Sequence, residues 1–306
     1  MSISINNKYI VENLIGKGKF GQIFKGHIHK KNTRIAIKIE PSEGELKSIK
    51  HEVTILNYLY KRGCRNIPYI YWYGKYNMDI CMVMNYFPGS LCNENIPHID
   101  TFMIKCIDIL KNIHEHYVIH RDIKPQNFMF DEHGELHLID FGLATVYVDD
   151  DHRHIKCTGC SQSYILGTPK YISYHVHEGY VPSRRDDLIS VGYLYLFFNL
   201  HSGLGCPSVP FASHPEWRLK YGSLPWSDIQ SVTGTVDSSL NELHVLHPHN
   251  QFRKEKKEWS NISTYLCEIG ENKIEKYLEY CYRLDFESEP NYSGLLQLFD
   301  TTLVNL

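Results

Sequence analysis

His120-Arg121-Asp122-Ile123-Lys124-Pro125-Gln126-Asn127, followed by Ile139-Asp140-Phe141-Gly142, is the stretch whose reading decides the fold. Leu136 to Ile139 reads as a strand leading into Asp140, and Asp131 to Gly134 as the hairpin turn before it. The stretch thus offers an acid on a loop, then a lysine, then an amide, and a second acid beyond a hairpin. These are the parts a phosphoryl-transfer site needs. Because the transition state is loose, the protein mainly positions the reactants and stabilises charge. Asp122 is placed to accept the proton of an attacking hydroxyl, and Lys124 to reach the transferring phosphate. Asn127 and Asp140 supply hard oxygen ligands of the kind Mg2+ prefers. Asp and Asn are common in loops for their own backbone bonds, so the combination, and not the triplet, carries the reading.

Upstream, Ile15-Gly16-Lys17-Gly18-Lys19-Phe20-Gly21-Gln22-Ile23 sits between two strand-like runs, Tyr9 to Ile15 and Gln22 to His29. Glycines at 16, 18 and 21 let a hairpin close over phosphates with its N–H groups facing the anion. A dinucleotide fold uses similar glycines but requires strand, turn and helix, whereas here strand follows strand. Lys38, in the alternating strand Thr33 to Glu40, has Ala36 and isoleucines around it and would be desolvated unless it met an anion. A helix from about Gly44 to Tyr60 carries Leu46, Ile49, Val53 and Leu56 on one stripe with Glu52 at its border. Glu52 is the expected partner of Lys38, with Glu43 and Glu45 as competitors. Cys81 to Gly89 is a buried-type strand that breaks into a Pro-Gly turn, which marks a boundary near Tyr86. The backbone from Asn85 to Phe87 would take an adenine edge, with Met84 guarding the space behind it or simply filling core. The nucleotide set is therefore Ile15, Gly16, Gly18, Gly21, Ile23, Ala36, Lys38, Glu52, Met84, Asn85 and Phe87. Thr101 to Tyr117 is an amphipathic helix in which His114 reads as a packed side chain and not a ligand.

At 306 residues, with 42% hydrophobic and 22% charged residues, the chain has room for two sizeable cores and no sign of disorder. A formal net charge of -3 gives no global reason to expect direct nucleic-acid or membrane binding. Nine cysteines, an odd number with no signal peptide, fit reduced thiols in the cytoplasm or nucleus. The apolar run Leu188 to Leu200 is too short to span a bilayer and reads as a core helix.

Together the glycine loop, Ala36-Ile37-Lys38, His120-Arg121-Asp122, Asn127 and Asp140-Phe141-Gly142 resemble eukaryotic-type protein kinases. Lys124-Pro125-Gln126-Asn127-Phe128-Met129, Gly167-Thr168-Pro169-Lys170-Tyr171, Ser183-Arg184-Arg185-Asp186-Asp187-Leu188, Phe198-Asn199-Leu200, Leu224-Pro225-Trp226 and the run from Tyr280 to Tyr292 are similar to the casein kinase 1 family. The resemblance implies a two-lobed α+β fold. Residues 1–86 would form an N-lobe of five strands and one helix, and 87–306 a mainly helical C-lobe with an insertion near 201–221. It implies transfer from ATP, with Mg2+, to serine or threonine of protein substrates by a monomer. Thr168 would brace Asp122 and Lys124, Asp187 would hold the catalytic-loop backbone, and Lys170 would meet a substrate anion. The rivals are a pseudokinase scaffold and a small-molecule phosphotransferase. The Ile, Asn, Lys and Tyr bias also permits a compact viral member, acting in a virion or host cell.

Several positions depart from that pattern. Ile172-Ser173-Tyr174-His175 stands where most kinases have Ala-Pro-Glu, a departure similar to casein kinase 1. Ser163 stands where the family often has lysine, and no Lys or Arg follows Trp226 until Arg253, so reliance on an upstream phosphate is expected to be weak. The insertion is either a docking surface or a plain packed loop. His152, His154, Cys157 and Cys160 have a spacing that invites zinc or merely repeat the family's own loop. Asp149 to Asp151 is a solvated run or a counter-charge for Arg121.

Overall fold

The computed structural model describes residues 3–18, 21–31, 33–41, 48–91, 98–157, 162–201, 224–227 and 242–300. Glu43, Glu45, Cys160 and the insertion from 202 to 221 lie outside these residues. Two compact units divide the chain: Met1–Glu94 with Gln126–Ala144, and Asn95–Pro125 with Thr145–Leu306.

In the first unit, strands β1 (Ile3–Ile5), β2 (Tyr9–Gly18), β3 (Gly21–Ile28), β4 (Arg34–Pro41), β5 (Ile70–Tyr76) and β6 (Asp79–Asn85) form one antiparallel sheet in the order β1-β2-β3-β4-β6-β5. The sheet has six strands where five were expected, because Ile3–Ile5 pairs along Tyr9–Val11 as an added edge. Period-two alternation sorts its side chains. Ile35 and Ile37 join Ile5, Tyr9, Ile28, Cys81 and Val83 in one core, while Met82 packs on the opposite side with Ile49 and Val53. Those two residues belong to helix α1 (Ser48–Lys61), whose stripe also buries Leu56 and Leu59.

The unit also takes in the hairpin after Asn127. β9 (Phe128–Phe130) pairs with β10 (Leu136–Leu138) on one side and with β7 (Gly89–Ser90) on the other. That pairing carries the compact unit past the expected boundary near Tyr86 and ties residues 126–144 to it. The turn is closed as its composition predicts: Asp131 Oδ1 accepts the N–H groups of His133 (2.8 Å) and Glu135 (2.9 Å), and Gly134 takes φ +79°.

Helices make up most of the second unit: α2 (Ile99–Glu115), α3 (Tyr174–His177), α4 (Arg184–His201), α5 (Pro248–Lys256), α6 (Trp259–Ile269), α7 (Asn272–Arg283) and α8 (Tyr292–Gln297), with a two-stranded ladder of β8 (Val118–Ile119) and β11 (Thr145–Val146). α4 is buried on nearly every side, through Leu188, Ile189, Val191, Tyr193, Leu194, Tyr195 and Leu196, as a helix apolar all round must be. Around it pack α2 and α7. Among the described residues no helix is long and apolar enough to cross a membrane.

Among the nearly inaccessible imidazoles of this unit are His114 and His177, each 1% exposed. Burial lowers the pKa of both below the ordinary histidine value, and the Lys257 ammonium adds to the effect on His177. In the unfolded chain both regain ordinary values. Below about pH 6.5 the unfolded state therefore binds more protons, and stability falls by about 1.4 kcal/mol per pH unit for each histidine that stays neutral in the fold. Urea midpoints are expected to drop between pH 7.5 and 5.5 at unchanged m, and His177→Gln to make the drop shallower. A midpoint flat across that range is the contrary result.

Candidate active site

In the first unit the chemistry gathers around Lys38. Register places Lys38 opposite Ile23 on β3 and Met82 on β6, and Met82 packs against α1 on the side where Glu52 lies between Ile49 and Val53. The Lys38 ammonium donates to Glu52 Oε2 at 2.7 Å and to Asp140 Oδ1 at 3.3 Å. Glu52, 1% exposed, accepts the Phe141 N–H on its other oxygen at 3.2 Å. Burial opposes the Lys38 charge, but the Glu52 and Asp140 carboxylates outweigh it and raise the lysine pKa. Burial likewise pushes the Glu52 carboxyl up, against the Lys38 ammonium and the Phe141 N–H. We take the pair as ionised, because every charged group in it has a hydrogen-bonded partner of the opposite sign or a backbone donor. His51 adds a further tie, Nε2 lying 2.6 Å from the Ala144 carbonyl oxygen beyond Asp140.

Asp140 and Asn127 are brought to one place by the β9–β10 hairpin. Phe128 pairs with Leu138, and the Ile139 N–H donates to the Asn127 carbonyl at 2.8 Å, so the residues flanking the ladder emerge side by side. Asp140 adopts left-handed backbone, φ +63°, a strained conformation that the surrounding bonds sustain.

The glycine loop is the β2–β3 hairpin, with Gly18 opposite Gly21 and Gly16 opposite Ile23. Gly21 is required by the protein's own packing: at φ +144° a Cβ would lie 2.2 Å from the Ile39 carbonyl oxygen. At Gly16 a Cβ would make only ordinary contacts with Ile23, so its freedom is not demanded by the fold. Ile15 is exposed, Ala36 is buried, and Ala36 pairs with Met84, which packs against the Ile49, Val53 and Met82 cluster. Asn85 donates its N–H to the Tyr69 carbonyl (3.3 Å) and accepts the Tyr69 N–H on Oδ1 (2.9 Å). Phe87 is buried with its ring 4.5 Å from that of His137. Both side chains therefore serve the fold.

In the second unit Asp122 is buried between two donors. Lys124 Nζ donates to Oδ2 at 2.5 Å and Thr168 Oγ1 to Oδ1 at 2.7 Å, while Lys124 also reaches Thr168 Oγ1 at 3.4 Å. A carboxylate has about four lone-pair sites, so acceptor capacity remains. The Thr168 approach depends on Gly167, φ +96°, where a Cβ would lie 2.5 Å from the Arg121 carbonyl oxygen. Asp187 holds the loop backbone with both oxygens: Oδ2 accepts the His120 N–H at 2.7 Å and Oδ1 the Arg121 N–H at 2.9 Å, with Arg121 at φ +69°. Burial would raise the Asp187 carboxyl, but the bonds from His114 and from the loop hold it below the ordinary range.

His114, read as a packed helix residue, is both packed and bonded. Nε2 lies 3.1 Å from Asp187 Oδ2 and Nδ1 2.7 Å from the Tyr292 hydroxyl. A neutral imidazole that donates through Nε2 and accepts through Nδ1 satisfies both partners. Sequence spacing gave no signal for this, since Asp187 and Tyr292 are far away along the chain. A polar residue within the apolar stripe of α2 was the available hint.

Lys170 stands apart from the Asp122 cluster. Its ammonium lies 4.5 Å from the Phe197 ring centre and 5.6 Å from that of Tyr171, and burial lowers its pKa. Asp149 Oδ1 accepts the N–H groups of Asp151 (3.0 Å) and Arg153 (2.9 Å), and Asp151 pairs with Arg153. Asp149 and Asp151 close their own turn, and the Asp187 carboxylate acts on the Arg121 charge. His152 stacks on Tyr117, and His154 Nδ1 lies 2.8 Å from the Ile155 carbonyl oxygen. Among the described residues no three His, Cys, Asp or Glu side chains converge as a metal-holding group.

Comparison with known proteins gives the family. Residues 9–203 match the protein kinase domain family. Casein kinase I homolog 2 of Schizosaccharomyces pombe is 29% identical over 309 residues, covering 96% of this chain and 62% of the relative. Casein kinase I homolog 3 of the same organism is 29% identical over 313 residues, covering 97% of this chain and 62% of the relative. The chain thus spans about 62% of the length of the curated relatives it matches. It belongs to the protein kinase domain family.

Proposed function

We propose that the chain transfers the γ-phosphate of ATP to serine or threonine hydroxyls of protein substrates, in the manner of a casein kinase 1. The observation that carries this reading is the buried Lys38 ammonium, held by Glu52 and bonded to Asp140. In this reading Lys38 orients the phosphates beneath the glycine loop, at Gly16, Gly18 and Gly21, between Ile15 and Ile23. Ala36, Met84 and the backbone from Asn85 to Phe87 receive the base. Asn127 and Asp140, paired oxygen donors at the two ends of a pinned hairpin, fit Mg2+ and would hold it. When bound, that ion neutralises charge on the phosphates. Asp122 takes the proton of the acceptor hydroxyl, Lys124 steadies the transferred group, and Thr168 and Asp187 keep Asp122 in place.

A pseudokinase commonly lacks one of Lys38, Asp122 or Asp140, and all three are present with their partners. The peptide-like segment Gly167 to Tyr171, beside Asp122 through Thr168, favours protein over small-molecule acceptors. We place the protein in the cytoplasm or nucleus, acting as a monomer.

Labelled ATP, Mg2+, casein and small-molecule alcohols offered together are expected to label casein. Asp122→Asn is expected to lower kcat by about a hundredfold or more with KM for ATP within about twofold. Asp140→Asn and Lys38→Met are expected to abolish transfer to a similar or greater degree. Nucleotide binding without turnover in the unaltered protein would favour the scaffold reading, and label confined to small alcohols would favour the other rival.

We further infer that an upstream phosphate on the substrate helps little, since Lys170 is the single matched basic position and its ammonium faces aromatic rings. Peptides with and without an upstream phosphoserine are expected to differ in rate by less than about tenfold. A larger ratio abolished by Lys170→Ala would contradict this.

A further inference from the structure

Lys257 is fully buried at the end of α5, and among the described residues its hydrogen-bond partners include no carboxylate. Its Nζ lies 3.0 Å from the Pro169 carbonyl oxygen, 2.7 Å from that of Ile172 and 3.3 Å from His177 Nε2. The rings of Tyr193 and Trp226 stand 5.0 and 5.4 Å away. Tyr282 donates to the Lys257 carbonyl at 2.9 Å and is itself bonded to Tyr193, so the residue is held at its backbone as well. Burial, and after it the charge of Arg253, drive its pKa well below the ordinary lysine value. An amine here is unfavourable unless its N–H groups are used.

Two of them go to one short stretch. In the turn from Thr168 to Ile172 the Thr168 carbonyl accepts the N–H groups of Tyr171 (2.8 Å) and Ile172 (3.1 Å). The Lys170 carbonyl accepts Trp226 Nε1–H at 2.7 Å. The Ile172 carbonyl is taken by Lys257, and the Pro169 carbonyl by Lys257 together with His177, whose Nε2 lies 3.2 Å from it. Every one of these carbonyls thus points at a fixed donor, and the stretch presents Thr168 Oγ1 to Asp122 and the Lys170 side chain to Phe197. Donors from residues 226 and 257 shape a segment that local sequence could not hold.

We propose that Lys257 is a positioning residue for acceptor binding: by clamping the carbonyls of Pro169 and Ile172 it sets the turn that carries Thr168 and Lys170. This rests on the kinase reading given above. The group is fully buried among Pro169, Ile172 and His177, so its removal acts on the acceptor side through the turn.

Lys257→Met keeps an unbranched side chain, apolar and shorter by one atom, and removes the donors. It is expected to lower kcat/KM for casein by about ten- to a hundredfold, the loss of hydrogen bonds from one polar group, with KM for ATP within about twofold. Amide exchange at residues 170–172 is expected to accelerate while that of α4 is unchanged. Casein and ATP parameters that fall together, or unchanged casein kinetics with unchanged exchange, would overturn the proposal. Should Lys257→Met not fold, Trp226→Phe decides, since it removes one donor from the same turn: a several-fold loss confined to the casein parameters supports the clamp, and none overturns it. Absence of transfer by the unaltered protein would instead overturn the kinase reading, and the exchange measurement would still decide whether the clamp exists.

Discussion

The Lys38 ammonium sits 8% exposed in a β-strand flanked by isoleucines, where an ion without partners would destabilise the fold by several kcal/mol. That constraint organises the first unit. It requires a carboxylate on the face of α1 that meets the sheet, and Glu52 supplies it. It draws Asp140 to the same ammonium, and Glu52 in turn engages the Phe141 N–H. Strand, helix and the segment after the β9–β10 hairpin are therefore coupled through one charge cluster. Removing Glu52 would take from Lys38 its shorter ion pair and from the Phe141 N–H an acceptor. A cluster so placed has strong reason to be retained for chemistry, since apolar side chains could fill the same volume at lower electrostatic penalty.

The second unit solves a related problem with an anion. Arg121 is in left-handed backbone, a conformation that costs about 1–3 kcal/mol for a residue with a side chain. Asp187 offsets that strain by accepting two successive N–H groups, and His114, backed by Tyr292, holds Asp187. Asp122 is next in the chain, so its position follows from a bond network that begins at the C-terminal helix. Gly167 completes it by allowing Thr168 to approach where any Cβ would collide with the Arg121 carbonyl.

Much of this was legible in the residues. The alternation of β4 placed Lys38, the stripe of α1 placed Glu52 at its border, and the turn chemistry of Asp131 to Gly134 marked the hairpin that joins Asn127 to Asp140. These are local signals, with periods of two or 3.6 or a turn of a few residues. Other positions were silent about their side chains. Asn85 and Phe87 are read for the backbone they offer to a base, and their side chains are committed to Tyr69 and His137. Asp149 to Asp151 offered a counter-charge by composition, yet the tight turn in which they sit uses them on Arg153 and its own N–H groups.

The sequence by itself determined the kind of chemistry, the strands and helix that carry Lys38 and Glu52, and the identity of the charged groups, because those depend on residue types at short spacing. Only the tertiary structure decided who bonds to whom across the chain. The links from Asp187 to the loop, from His114 to Tyr292 and from Lys257 to Ile172 join residues 67, 178 and 85 apart. At such separations a hydrogen bond leaves no periodic trace, since its geometry is set by how helices pack and not by the neighbours of either partner.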